Sequence, residues 1–144
     1  MINASGGVFL SLNTKRICLQ LRSEECSYPG TWSFWGGKSE NNETPIETLV
    51  REIQEEAGEI PEILKVYPLH KYTSRDGNFV YNSFVLTAQD EFMPVLNGES
   101  LGYAWTDLTH TPKPLHIGVK NILRSQSVLK KFETIINSSK IPRI

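Results

Sequence analysis

The amino-acid sequence predicts an α/β layered fold built on a mixed β-sheet. Short apolar runs of strand length, two segments with helical apolar spacing, and the interleaving of the two along the chain predict it together. The 144 residues lie within the range of one domain, and 39% apolar residues is an ordinary share for a chain with a core. One domain over residues 1–144 is therefore expected, with no repeat, linker or low-complexity tract.

Val8 to Leu12 and Arg16 to Arg22 flank Asn13-Thr14-Lys15, polar residues that suit a hairpin turn. In the second run Ile17, Leu19 and Leu21 alternate with Arg16, Gln20 and Arg22, the period of a half-buried strand. Ser23 to Thr31 is charged, contains Pro29 and Gly30, and reads as a loop. Trp32 to Trp35 is an aromatic strand halted by Gly36-Gly37. A helix follows: Thr44 is the N-cap, Pro45 its first residue, and Glu47 completes a capping box. Ile46, Leu49, Val50, Ile53 and Ala57 form its predicted buried stripe, and Gly58 stops it. Ile63 to Tyr72 and Phe79 to Ala88 read as strands joined through Ser74 to Asn78, and Gly102 to Asp107 as another. Past the Pro-containing stretch His110 to Leu115, Val119 to Ile136 has helical spacing with a break near Ser125 and Ser127.

Charge narrows the function. Fifteen basic side chains oppose sixteen acidic ones, a net charge of -1, so no broad basic face for nucleic acid or membrane is expected. A small phosphorylated ligand stays compatible, because a bound metal can match its charge. Met1 to Ser11 has no basic residue ahead of its apolar stretch, and no apolar run reaches the ~18–20 residues that span a bilayer. Cys18 and Cys26 have no metal-ligand spacing and are too few for a disulfide framework; Cys18, among apolar neighbours, reads as a buried small hydrophobe. A reduced, cytoplasmic protein is the expectation.

Glu52, Glu55 and Glu56 fall on the side of the first helix opposite the predicted apolar stripe, and at i+3 and i+4 Glu52 neighbours both others. Like charges at that spacing repel. A solvated acidic face is the ordinary reading of such a cluster, but this one lies one turn from a helix end, beside a tight Gly-Gly turn. Hard cations such as Mg²⁺ or Mn²⁺ take oxygen ligands and would relieve the repulsion. Arg51 reaches Glu47 and Glu55 at i±4 and is expected to orient carboxylates rather than touch substrate.

These residues resemble a known signature. Gly37, Glu43, then Arg51-Glu52-Ile53-Gln54-Glu55-Glu56-Ala57-Gly58 is similar to the Nudix box, G-x5-E-x7-R-E-U-x-E-E-x-G-U. Seven fixed letters match, with a chance on the order of one in 10⁸ per starting position at average residue usage. Two positions depart: Glu59 stands where the box ends in an apolar residue, with Ile60 one place later, and Trp35 stands where Pro often precedes Gly-Gly. The resemblance implies a Nudix-type α/β/α sandwich with a mixed β-sheet. It also implies Mg²⁺-dependent hydrolysis, with Mn²⁺ as a substitute, of a nucleoside diphosphate linked to another group X.

In the small MutT-like branch the implied substrate is a (deoxy)nucleoside triphosphate, cleaved to the monophosphate and pyrophosphate. The alternatives are an ADP-ribose, dinucleoside-polyphosphate or nucleotide-sugar hydrolase and, of another class, a Nudix domain that only binds. Glu55, Glu56 and the Gly36 carbonyl are the implied metal ligands, and Glu52 is a ligand or the base that deprotonates water. Arg51 belongs with this catalytic set, and Glu43 and Gly37 support it. Asn97-Gly98-Glu99, with Trp105 six residues on, is similar to a late metal-binding loop of that branch, which favours Glu99 over Asp90 and Glu91. For the substrate, Trp32, Phe34, Trp35 and Tyr103 are stacking candidates, with core packing as the competing role of each. Lys38 and Arg22 are the nearest cations to the turn; His110 and His116 are weighed as phosphate or base contacts against a surface or helix-start role, and His70 as structural. Gly37-Lys38-Ser39 fails as a P-loop, since Trp32 stands where the earlier Gly is required and Asn41-Asn42 precede the helix. The partner is a small-molecule nucleotide, with no nucleic acid and no membrane, and a monomer or homodimer is expected.

Overall fold

The structure, a computed structural model, describes residues 1–138. Its strands are β1 (Ile2–Ser11), β2 (Ile17–Arg22), β3 (Trp32–Ser33), β4 (Trp35–Lys38), β5 (Lys65–Thr73), β6 (Phe79–Ala88) and β7 (Ser100–Thr106). Its helices are α1 (Pro45–Ala57), α2 (Ile117–Arg124) and α3 (Gln126–Ser138). One seven-stranded mixed sheet runs β3-β2-β1-β6-β5, with β4 on β1 and β7 on β2; β1 and β6 are parallel and the other pairs antiparallel.

The predicted hairpin forms, pairing Phe9 with Cys18 and Leu10 with Ile17. Its first strand starts six residues before Val8, because the parallel ladder to β6 begins at Ile2 and β4 pairs from Ala4 to Gly7. Both long hairpin strands after α1 are present, and the C-terminal helix breaks at Ser125, as its serines predict.

Burial corrects two of the periodicity readings. In β2 the residues from Ile17 to Gln20 are all buried, because the strand is covered on both faces: Ile17 and Leu19 join the core under α2 and α3, and Cys18 the core under α1. Gln20 alternates with Leu19 and so points to the α1 side, not to solvent. On α1, Ile46 (43% exposed) and Val50 (48%) face outward, and the buried residues are Thr48, Leu49, Ile53, Glu56 and Ala57. The helix is thus rotated so that one of its glutamates points inward.

The aromatic run after residue 31 is two strands, not one. Trp32 and Ser33 pair with β2, whereas Trp35 to Lys38 pair with β1. Phe34 is the corner where the chain changes partner. The sheet parts there, between β2 and β4, and the C-terminal half of α1 lies across the opening.

Candidate functional site

The N-terminus of α1 is fixed by the capping box: the Thr44 hydroxyl accepts from the Glu47 N–H at 3.2 Å and the Glu47 carboxylate from the Thr44 N–H at 2.9 Å. Glu47 is thereby taken, which corrects its expected pairing with Arg51. Arg51 instead binds Glu43 with two nitrogens, at 2.8 Å and 3.0 Å. It also donates to Glu52 at 2.9 Å, Glu55 at 3.4 Å and the Lys38 carbonyl at 2.9 Å. Hydrogen bonds from Arg51 and from the Glu40 N–H draw the Glu43 carboxyl down to about 2, so Glu43 is a fixed anion. A bidentate arginine–carboxylate pair has one preferred geometry, so the pair sets where Glu52 and Glu55 begin.

Glu56 is 3% exposed. Its Oε1 accepts the Gly36 N–H at 2.7 Å and its Oε2 the Gln20 amide at 2.9 Å. Burial nevertheless dominates and pushes its pKa up to about 7, with the Glu52 and Glu99 charges adding to the rise. Burial raises Glu52 as well, against the pull of Arg51. Gly37 gives Glu52 its room, and Gly36 lets β4 approach β1 closely. A Cβ on Gly37 would lie 2.6 Å from the Glu52 carboxyl carbon, and one on Gly36 would lie 2.0 Å from the Ser5 carbonyl. Gly36 faces Gly6 across an antiparallel pair in which Ser39 donates to Asn3. The alternation of such a ladder turns both main-chain groups of Gly36 away from β1, toward α1.

Glu99 reaches the same place from the other side. Its N–H donates to the Asn97 side chain, the Asn97 amide donates to the Glu55 carbonyl at 2.8 Å, and its own carbonyl accepts from Ser23. The competing acids are spent elsewhere: Glu91 pairs with Arg16 at 2.6 Å and Asp90 with Asn13, both at the β1–β2 turn.

Two stacking candidates are corrected. Trp35 is 0% and Phe34 3% exposed; Trp35 donates its indole N–H to the Cys18 carbonyl, and Phe34 joins the core under α2 and α3. Neither offers a ring to a ligand. Tyr103 and Trp32 are half-buried, packed against the core, and Lys38 is exposed at the end of β4. Arg22 is tied to Ser27. His116 caps α2, accepting the Gly118 N–H, and packs against Tyr28. His110 meets Thr109 at the surface, and His70 lies in β5. Ile60, not Glu59, packs on the core after α1, so the apolar role at the end of the box shifts by one residue.

The residue that spacing missed is Gln20. Its buried amide donates to Glu56 and, at 3.0 Å, to the Phe34 carbonyl, and its carbonyl accepts from Ser100.

As the side chains stand, no three His, Cys, Asp or Glu groups among the described residues converge on one metal point. Arg51 spans Glu52 and Glu55. The donor chemistry nonetheless fits a hard cation. Glu56 is buried and Glu52 half-buried, burial raises both, two more carboxylates lie beside them, and position 37 carries no side chain to fill the cradle.

Comparison with known proteins agrees with this arrangement. The NUDIX domain profile matches residues 2–126. The chain belongs to the Nudix family. A Mycobacterium tuberculosis relative named "Putative 8-oxo-dGTP diphosphatase 3" is 33% identical over 110 residues, 73% of this chain and 51% of the relative. The chain thus spans about half the length of that relative. An 8-oxo-dGTP diphosphatase of Proteus vulgaris is 62% identical over 29 residues, 20% of this chain and 26% of its own. Among solved structures, a Nudix hydrolase from Nitrosomonas europaea shares the fold with a TM-score of 0.69 and 23% identity, covering 88% of this chain and 69% of that one. A MutT Nudix hydrolase from Burkholderia pseudomallei gives 0.66 and 21%, covering 87% and 97%. The layered sandwich expected of the family is the fold observed. Nudix hydrolases generally use divalent metal ions.

Proposed function

We propose that the chain is a Nudix pyrophosphohydrolase, with Mg²⁺ as its working ion and Mn²⁺ as a substitute. The observation that carries this reading is Glu56: a carboxylate buried against Gly36, raised to about 7, one turn from Glu52. Two neutral hydrogen bonds do not offset the burial of this acid, and its place beside a second raised acid supports a site for a cation. Glu52, Glu55 and Glu56 would hold the ion, with the Gly36 carbonyl and Glu99 as further oxygen donors. A divalent ion bound there would supply neutralisation of charge on the pyrophosphate oxygens and on the leaving group.

The chain's own residues do the rest. Arg51 and Glu43 fix the starting positions of Glu52 and Glu55. One of the two raised acids, Glu52 or Glu56, takes the proton of the attacking water. The substrate is a nucleoside diphosphate linked to X, in the first instance a (deoxy)nucleoside triphosphate that yields the monophosphate and pyrophosphate. The names of the two bacterial relatives make 8-oxo-dGTP the first member of the class to assay. With Trp35 and Phe34 in the core, Tyr103 and Trp32 are the remaining rings for the base, and Lys38 a phosphate contact.

A panel of nucleoside triphosphates, 8-oxo-dGTP, ADP-ribose, a dinucleoside polyphosphate and a nucleotide sugar tests this. Release of pyrophosphate from the triphosphates is the expected result. Cleavage into two phosphorylated fragments, with triphosphates spared, would replace it by the nucleotide-sugar or ADP-ribose reading. Binding without turnover would make the chain a nucleotide-binding Nudix domain.

A further inference from the structure

We propose that Gln20, outside the box, is the positioning residue for Glu56 and couples it to the loop that carries Glu99. The proposal rests on the reading of Glu56 as a metal ligand.

Gln20 is 1% exposed at the centre of β2, on the strand face that looks toward α1. Its amide nitrogen donates to Glu56 Oε2 at 2.9 Å and to the Phe34 carbonyl at 3.0 Å, and its amide oxygen accepts from the Ser100 hydroxyl. The orientation is unambiguous. Flipping the amide would set its oxygen against a carboxylate and a carbonyl, two repulsions in place of two hydrogen bonds.

Three consequences follow from those contacts. First, each Glu56 oxygen has one donor, Gly36 or Gln20, which fixes the rotamer while leaving a lone pair on each for another partner. Second, the donor is neutral. An arginine or lysine there would cancel the charge that a cation needs, whereas an amide holds the carboxylate and leaves its charge intact. Arg51 shows the other arrangement, on Glu43 and Glu52. Third, the amide touches three separate elements: α1, the β3–β4 corner one residue from Trp35, and Ser100, the residue after Glu99. A shift of β2 would move both acids together, so their separation is set through this one side chain.

Partners that orient metal ligands commonly contribute about 10–100-fold in metal affinity or activity. Free Mn²⁺ is titrated by electron paramagnetic resonance into the wild-type chain, Glu56→Gln, Gln20→Leu and Ser100→Ala, and each is melted with EDTA and with Mn²⁺. Gln20→Leu is expected to weaken Mn²⁺ binding about tenfold or more and shrink the metal-dependent rise in Tm. Ser100→Ala should weaken binding by less, in the same direction, with kcat falling more than the nucleotide KM changes. A merely structural glutamine would lower both melting points equally and leave Mn²⁺ affinity untouched; that result in a folded Gln20→Leu overturns the proposal. If Gln20→Leu does not fold, Ser100→Ala decides, and wild-type affinity in that variant overturns the proposal. Should Glu56→Gln bind Mn²⁺ as the wild type does, the reading of Glu56 fails as well, a pattern distinct from failure at Gln20 alone.

Discussion

On the α2 and α3 side of the sheet, Val8, Leu10, Ile17, Leu19 and Val85 meet Val119, Val128, Phe132 and Ile135, and no charged side chain is buried there among the described residues. On the α1 side, β1, β2 and β4 supply Phe9, Cys18 and Trp35, and the apolar core shares its space with Glu56 and Gln20. One face is a pure packing surface; the other stops being one where β2 and β4 part. On the proposed function, stability and chemistry fall on opposite faces of one sheet. Substitutions on the two faces should therefore separate activity from folding.

The sharpest separation is expected from Glu52→Gln. It removes an acid that burial raises but that no core residue depends on, so activity on the best substrate should fall by about 10²–10⁴-fold while the melting curve stays cooperative. Steady-state kinetics beside thermal melts would check both halves. Mn²⁺ affinity then tells the roles apart, since loss of a base leaves binding in place and loss of a ligand does not.

On the other face, Phe132→Ala should do the reverse. Phe132 is 0% exposed, and truncating a buried phenylalanine costs about 3–5 kcal/mol, a loss to be read from denaturant midpoints. Activity per folded molecule should be unchanged; a drop in it would mean that the two faces are coupled.

Gly37→Ala probes the boundary. Its Cβ would come 2.6 Å from the Glu52 carboxyl carbon, so the carboxylate must move. A displacement near 1 Å can cost about 100-fold in rate, so kcat should fall by about 10–100-fold with folding retained.

Much of the fold was legible in the sequence. The capping box, the Gly stop, the β1–β2 turn and the break at Ser125 each rest on local chemistry, and each forms where its residues predict. What misled was burial read from period alone. The rotation of α1 that exposes Ile46 and Val50 and buries Glu56 is set by the β2–β4 opening, which joins residues far apart in sequence. The spacing of the box pointed to the acids and to Gly37. Gln20 gave no signal, because a glutamine between leucines in an alternating strand reads as its solvent face, and only the strands flanking β2 reveal otherwise.

A pH titration sharpens the same comparison. The folded, metal-free protein holds the Glu56 proton up to about 7, above the ordinary 4.5 of an unfolded glutamate. Stability from this group is therefore complete below about 4.5 and lost as the pH rises through about 7, on the order of 1–3 kcal/mol. Denaturation in EDTA at pH 5 and pH 8 should show that fall in the wild type and not in Glu56→Gln. The smallest effect is expected from Val50→Ser, at an exposed α1 position, within about 0.5 kcal/mol of the wild type.

The central claim, that the acids of α1 and the Gly36-Gly37 turn form a metal-dependent hydrolytic site, is tested most directly at Glu56. The rate of pyrophosphate release from a nucleoside triphosphate with Mg²⁺ is compared between the wild-type chain and Glu56→Gln, whose neutral amide keeps the carboxylate's volume but turns its NH2 toward one of the two donors, Gly36 or Gln20. Loss of at least about 100-fold in rate, with a cooperative melt retained at pH 8 in EDTA, is the predicted result. An equal rate in the two proteins would contradict it.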